Sequence, residues 1–283
     1  MQDKLYIYHP NGQATKTPDD FPVFIFGSSS RGNATYLPEL NTIIDFGMPY
    51  KAYLEHDEDF FYNVQYVLLT HQHTDHLNLA TVHKVLQLYP HVKFIASPYV
   101  LDYIRQQDLN WDVLEYVDRF IELPVKAVNE NTNLMLYHTF RITLPDGLTM
   151  TVQPVATHHE DIVNTAYYIY WKTVEDLEGF GMEEHEHRLM YASDLDNTDQ
   201  LLSLQGSHRL DYCFLEANHD PAMVNMELVN DGDHRFEAKG CLRHLGEPEA
   251  WDYVTKNVKS NGYFVPLHAS KRFSSLMQDL TDE

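Results

Sequence analysis

The chain has 283 residues, 43% of them hydrophobic and 13% aromatic, which excludes a disordered protein and allows a substantial core in one large domain or two small ones. Lys and Arg number 20 against 42 Asp and Glu, a formal charge of −22, and a protein that tracks a long nucleic-acid backbone usually carries a basic footprint instead. No apolar run approaches the ~20 residues of a membrane-spanning helix. The N-terminal twenty residues lack the basic and apolar regions of a signal peptide, and two cysteines, Cys213 and Cys241, suit a reducing cytoplasm better than a disulfide framework.

The elements run as follows. A short strand, Lys4 to Tyr8, precedes a Gly/Thr/Pro/Asp turn. The strand Pro22 to Phe26 leads into a Gly/Ser-rich bend, Gly27 to Ala34, and a further strand, Asn41 to Asp45, ends in Phe46-Gly47. Residues 50–62 read as partly helical. The apolar run Val64 to Thr70 is a strand, followed by a helix over about Leu77 to Leu88, a buried strand from His91 to Ala96 and a helix over Pro98 to Gln107. Strands are expected near 119–124, 133–143 and 148–157, and again over Tyr167 to Trp171. The acid-rich stretch 174–187 reads as a solvated excursion, and its His185 and His187 as surface residues. Beyond it lie a strand at Arg188 to Ala192, a helix near 198–204, a strand at Asp211 to Glu216, a helix near 248–259 and a last strand, Gly262 to Leu267. No linker or repeat stands out. The expectation is a single domain over 1–283, with an N-terminal extension at 1–20 and helices outside two packed sheets.

The densest chemistry is at residues 71–76, His-Gln-His-Thr-Asp-His, directly after the strand Val64 to Thr70. Imidazole with carboxylate suits zinc, and also iron or manganese. Alternation sets His71 and His73 on one side of the loop and Asp75 and His76 on another, which favours two metals over one; the bland alternative is a solvated His-rich turn. Three other strand ends deliver residues of the same type: His158-His159, Asp194 and His268. A lone His after a strand is more often a capped surface residue. Four such strand ends together make a set of the size that two bridged metals need. Between Arg235 and Arg272 seven basic residues face four acidic ones, so a small anion could be held in an otherwise acidic chain.

His71-x-His73-x-Asp75-His76 is similar to the His-x-His-x-Asp-His signature of metallo-β-lactamase-fold hydrolases, and the resemblance covers about residues 22–272. It implies an α/β fold, a four-layer αββα sandwich of two mixed β-sheets flanked by helices. By the same resemblance His71, His73 and a later His bind one metal, and Asp75, His76 and His268 bind the second. Asp194 bridges both, and Asp45 orients the ligand loop. Pro154 stands five residues before His159 and Ala166-Tyr167 follow it at seven and eight, the family's spacing, which selects His159 with His158 as the alternative. Leu215-Glu216-Ala217-Asn218-His219-Asp220, Arg243-His244-Leu245-Gly246 and Leu267-His268-Ala269-Ser270 resemble the YycJ/VicX-like branch. That branch is close to tRNA 3′-processing ribonucleases and to the phage anti-Pycsar cyclic-nucleotide phosphodiesterases. Arg31 is an extra residue in the Ser-rich turn, Arg243 replaces Gly, and Gly246-Glu247 replaces Ser-Asn.

The resemblance implies two divalent ions, Zn2+ or Mn2+, and a phosphodiesterase. Hydrolysis would use metal-activated hydroxide, with Asp75 in the catalytic set and His244 as general acid on the leaving oxygen. Arg31 and Arg243 are candidates for gripping phosphate oxygens, a surface ion pair being the plain alternative for each; His219 and Ser270 complete the expected substrate contacts. The acidic charge favours a small anionic nucleotide, a cyclic nucleotide first, over DNA or RNA. A YycJ/VicX-type nuclease is the alternative, and a lactone or thioester hydrolase is a further one. A di-iron oxidoreductase of the fold would carry Glu where Gln72 stands, and a dead binding module would have lost a ligand. No membrane partner is expected, and a homodimer is expected on frequency alone.

Overall fold

The computed structural model describes residues 6–18, 21–107, 113–129, 132, 134–176, 182–230 and 233–278. Two compact units make up the chain, one of residues 1–19 with 139–283 and the other of residues 20–138. The first opens with strands β1 (Tyr6–Tyr8) and β2 (Ala14–Lys16), an antiparallel hairpin. The expected start of β1 at Lys4 lies outside the described residues.

In the unit of residues 20–138 the chain continues through β3 (Phe24–Ser29), β4 (Gly32–Leu37), β5 (Thr42–Ile44), helices α1 (Tyr50–His56) and α2 (Phe60–Asn63), β6 (Tyr66–Leu68), α3 (Leu79–Leu88), β7 (Lys93–Ala96), α4 (Pro98–Gln106) and β8 (Phe120–Glu122). The six strands pair in chain order, antiparallel through β5 and parallel from β5 to β8, so the sheet is mixed. A small second sheet pairs β9 (Val125–Val128) with β10 (Met135–Tyr137). Phe46, Tyr53, Phe60, Phe61 and Phe94 fill one core with Val67, Leu69, Val82 and Val85. That apolar set is why the short run 66–68, flanked on both sides by parallel strands, is wholly strand-forming. Asn78 accepts from Thr81 N–H to cap α3, and Ser97 with Pro98 starts α4.

The Gly/Ser-rich bend expected at 27–34 is mostly strand: β3 and β4 form a hairpin through it, with Arg31 at the turn. Small residues here serve close backbone approach. A Cβ on Gly47 would lie 1.7 Å from the Asp75 carbonyl oxygen and 2.9 Å from Asn33 N, so only glycine admits the 71–76 loop at this distance.

The other unit adds β11 (Phe140–Thr143), β12 (Thr149–His159), β13 (Ile162–Asp176), β14 (Met182–Ala192), β15 (Leu210–Glu216), α5 (Pro221–Val229), α6 (Arg235–Cys241), α7 (Glu247–Asn257), β16 (Val258–Leu267) and α8 (Ser275–Gln278). Its eight strands run β11-β12-β13-β14-β15-β16-β1-β2, antiparallel except for the parallel pairs β14–β15 and β15–β16. The N-terminal extension is therefore part of this sheet, Tyr8 pairing with Phe264. Met190, Cys213, Leu215, Phe264, Ala250 and Val254 pack one face of the sheet against α7, and both cysteines are buried thiols.

Two further segments differ from the sequence reading. The stretch 174–187 continues β13 and β14 as paired strands, in register to Asp176 opposite Met182, with its tip at 177–181 outside the described residues. Lys172 holds Glu184 at 2.6 Å and Glu186 at 3.3 Å across the ladder, and Arg188 holds Glu186 at 2.6 Å. With both faces in water the arm shows no apolar alternation for sequence to detect. The helix expected near 198–204 does not form. Its amides bond elsewhere: Thr198 N to Glu249, Leu202 N to the Tyr168 hydroxyl and Leu204 N to Asn257 Oδ1, and only a short 3-10 turn, Gly206–His208, follows. Among the described residues no helix is long and apolar enough to cross a membrane.

Candidate functional site

In the unit of residues 20–138 the ligand-rich loop leaves β6 and turns back on itself, with the His73 carbonyl accepting from His76 N and Leu77 N. Asp45, fully buried and left-handed at φ 61, organises it. Asp45 Oδ1 accepts from Thr70 N and Thr70 Oγ1, and Oδ2 lies 2.7 Å from His76 Nδ1. The proton positions follow. Thr70 spends its only hydroxyl hydrogen on Asp45, so at 3.0 Å it accepts from His71 Nδ1. His76 Nδ1 faces a carboxylate and must donate, while its Nε2 faces the Asn33 Nδ2 donor at 2.8 Å and must accept. Both imidazoles thus carry the proton on Nδ1 and a lone pair on Nε2, the form that binds a metal. The His71 ring centroid lies 4.7 Å from His73 and 4.2 Å from His76. Asp75 Oδ2 is 3.8 Å from His76 Nε2, and Arg31 is exposed at the hairpin turn.

The unit of residues 139–283 brings a second group together at strand ends. Ligand atoms of Asp194, Glu216, His244 and His268 all lie within 4.8 Å of one another. Glu216 ends β15 and is fully buried; its Oε1 is 2.7 Å from His244 Nδ1, and its Oε2 accepts from Leu195 N at 2.6 Å and Leu245 N at 3.3 Å. His268 Nδ1 is 3.3 Å from Asp194 Oδ1 and 3.6 Å from Glu216 Oε1. Burial by itself would lower the His244 pKa, but the Glu216 and Asp194 carboxylates overcome it and raise it to about 10. Burial opposes ionisation of Glu216, yet His244 and His268 hold it below the usual carboxylate range. A cation bound at Asp194 would act against the upward shift of His244.

Of the paired histidines, His159 is the buried one, and its ring lies 5.0 Å from that of His244. His158 is half-buried on the other side of β12. Arg243 is tied to Glu160 at 2.5 Å, in the turn beyond His159. His219 is buried, with burial lowering its pKa, and its carbonyl accepts from Glu247 N. Ser270 Oγ accepts from Phe273 N, closing the turn after His268. Glu216 has no role in the sequence reading beyond its place in a motif; an acid closing a buried apolar strand, Tyr212-Cys213-Phe214-Leu215-Glu216, is the signal that could have singled it out.

The donor set, imidazole nitrogens with carboxylate oxygens at strand ends, fits divalent metal ions. Fold and donors together define the class, that of metal-dependent hydrolases with the metallo-β-lactamase fold. A model of the Beta-lactamase superfamily domain matches residues 40–243, and the chain belongs to that superfamily. The α/β class with mixed sheets and helices is as expected. Human tRNase Z, short form, is similar in fold with a TM-score of 0.53, 13% identity, and coverage of 88% of this chain and 93% of that one. The metallo-beta-lactamase fold protein YhfI from Bacillus subtilis has a TM-score of 0.49 at 15% identity, over 88% of this chain and 85% of its own. A long form RNase Z from yeast has 0.47 at 11%, over 95% of this chain and 35% of that one. No curated protein matches the sequence.

Proposed function

We propose that the protein is a two-metal phosphodiesterase acting on a small nucleotide phosphodiester, a cyclic nucleotide first. In this proposal His71, His73 and His159 hold one ion, Asp75, His76 and His268 the other, and Asp194 is shared. The pairing of His244 with Glu216 carries the phosphodiesterase part. Divalent ions, when bound, acidify water and neutralise charge on phosphoryl oxygens. The chain's own residues do the rest. His244 gives its Nδ1 hydrogen to Glu216, which leaves Nε2–H to protonate a departing alkoxide, the group that makes phosphodiesters slow to cleave. Glu216 compensates the imidazolium charge and fixes the ring. Asp45 and Thr70 keep His76 and His71 in the metal-binding tautomer. Arg31, exposed in its turn, is the remaining candidate for a phosphate oxygen, since Arg243 already holds Glu160.

The charge of −22 supports a small substrate over a polyanion. The similarity of fold to human tRNase Z supports the second reading, a nuclease. The deciding experiment offers cyclic mononucleotides, cyclic dinucleotides, single-stranded oligonucleotides and a lactone, each with zinc or manganese, and follows products by chromatography. Cleavage of cyclic nucleotides is expected, with His244→Ala slowing it by about 10²–10⁴-fold. Cleavage of oligonucleotides with cyclic nucleotides untouched would move the assignment to the nuclease. Lactone hydrolysis indifferent to His244→Ala would remove the phosphodiesterase altogether.

A further inference from the structure

Two of the candidate metal ligands have a backbone that L-residues avoid. Asp194 has φ 52 and His268 φ 54, a left-handed conformation that is uncommon outside glycine. Each occurs at the end of a strand, and each has an asparagine amide on its own carbonyl oxygen. Asn164, 1% exposed, donates from Nδ2 to Ser193 O at 2.5 Å and to Asp194 O at 2.8 Å, while its Oδ1 accepts from Thr165 N at 2.7 Å. Asn218 donates from Nδ2 to His268 O at 2.7 Å. Its backbone extends the hold: Asn218 N–H donates to Leu245 O and Asn218 O accepts from Ser270 N, both at 2.8 Å. One residue thereby ties the turn after His244 to the turn after His268. In the other unit Asn33 donates from Nδ2 and from its backbone N to Asp75 O, at 3.2 and 2.7 Å, there on a residue without the left-handed backbone.

We propose that Asn164 and Asn218 are positioning residues that lock Asp194 and His268 into the left-handed backbone that aims their side chains at the metal, and so set metal affinity. The inference rests on the metal-binding reading above. Asparagine suits the task because its side-chain amide donates to the carbonyl oxygen of the left-handed residue. Aspartate has the same shape and offers only acceptors there. Ligand geometry must hold to within about 0.5 Å to be productive, and a donor bound to the ligand's own peptide is the shortest way to hold it.

The test measures zinc affinity of Asn164→Asp and Asn218→Asp by competition with a chromophoric chelator, alongside melting of the metal-free proteins. Asn257→Ala is the control. It is an equally buried asparagine of the same unit whose amide serves Leu204 N and Tyr253 O, remote from the ligands in the hydrogen-bond pattern. The two Asp variants are expected to bind zinc about 10–100-fold more weakly, whereas the control melts earlier and keeps wild-type affinity. Asn164→Ser and Asn218→Ser, which retain a short donor, are expected to fall between and carry the test should the Asp variants not fold. Folded variants that bind zinc as the wild type does would overturn the inference alone. A wild-type protein that binds neither zinc nor manganese would overturn the metal reading and this inference with it.

Discussion

Glu216 shows what one buried side chain organises. Its two oxygens meet three donors: the His244 ring, Leu195 N one residue beyond Asp194, and Leu245 N one residue beyond His244. Glu216→Gln keeps the shape and the acceptor for the two amides but removes the charge that raises the His244 pKa. The sign follows from the proton that His244 must hold to act as an acid. With its pKa lowered toward the ordinary value, the protonated fraction is lost at lower pH, so the alkaline limb of the rate profile moves to more acid pH. A pH–rate profile of Glu216→Gln superimposable on the wild type would detach Glu216 from catalysis. The residues that carry the metal motif were legible in the sequence because His, Asp and His cluster within six positions. Glu216 and Asn164 were not, because each acts on atoms 21 to 30 residues away, and nothing local marks the partner.

Elements succeed or fail here by where their backbone hydrogen bonds go. The helix expected near 198–204 has helix-compatible residues, but Tyr168, Glu249 and Asn257 supply partners from other elements and the irregular path is kept. Conversely, β13 and β14 extend past the point where apolar alternation ends, because pairing and cross-strand charges suffice. The β3–β4 hairpin and the loop after β6 meet at Gly47, where close approach is decided by the absence of a side chain. Gly47→Ala drives a Cβ into the Asp75 carbonyl and is expected to cost about 1–3 kcal/mol as an overpacked position does. The measurement is the urea midpoint at unchanged m-value; a midpoint equal to wild type would mean that the loop shifts freely and is not held at this distance.

For the whole molecule, metal held in the proposed way adds to the stability of the native state. An ion that binds only the native state at a thousandfold excess over its Kd adds about 4 kcal/mol of stability. Chelation is therefore expected to lower the melting temperature of the metal-loaded protein. Identical melting curves with and without chelator would count against a bound metal. The charge of −22 acts at the same scale, and any oligonucleotide binding should be weak at physiological salt.

What the amino-acid order determined by itself is the set of local patterns: apolar runs that must be buried strands, caps and prolines that start helices, and ligand types packed into six residues after a strand. These depend on neighbours in sequence, and their physics is short-ranged. Only the tertiary structure decided that Glu216 meets His244, that Arg243 meets Glu160, that asparagine amides hold Asp194 and His268, and that residues 198–204 stay irregular. Each of those is a hydrogen bond or ion pair between groups far apart in the chain. Its energy exists only once folding has brought both partners together.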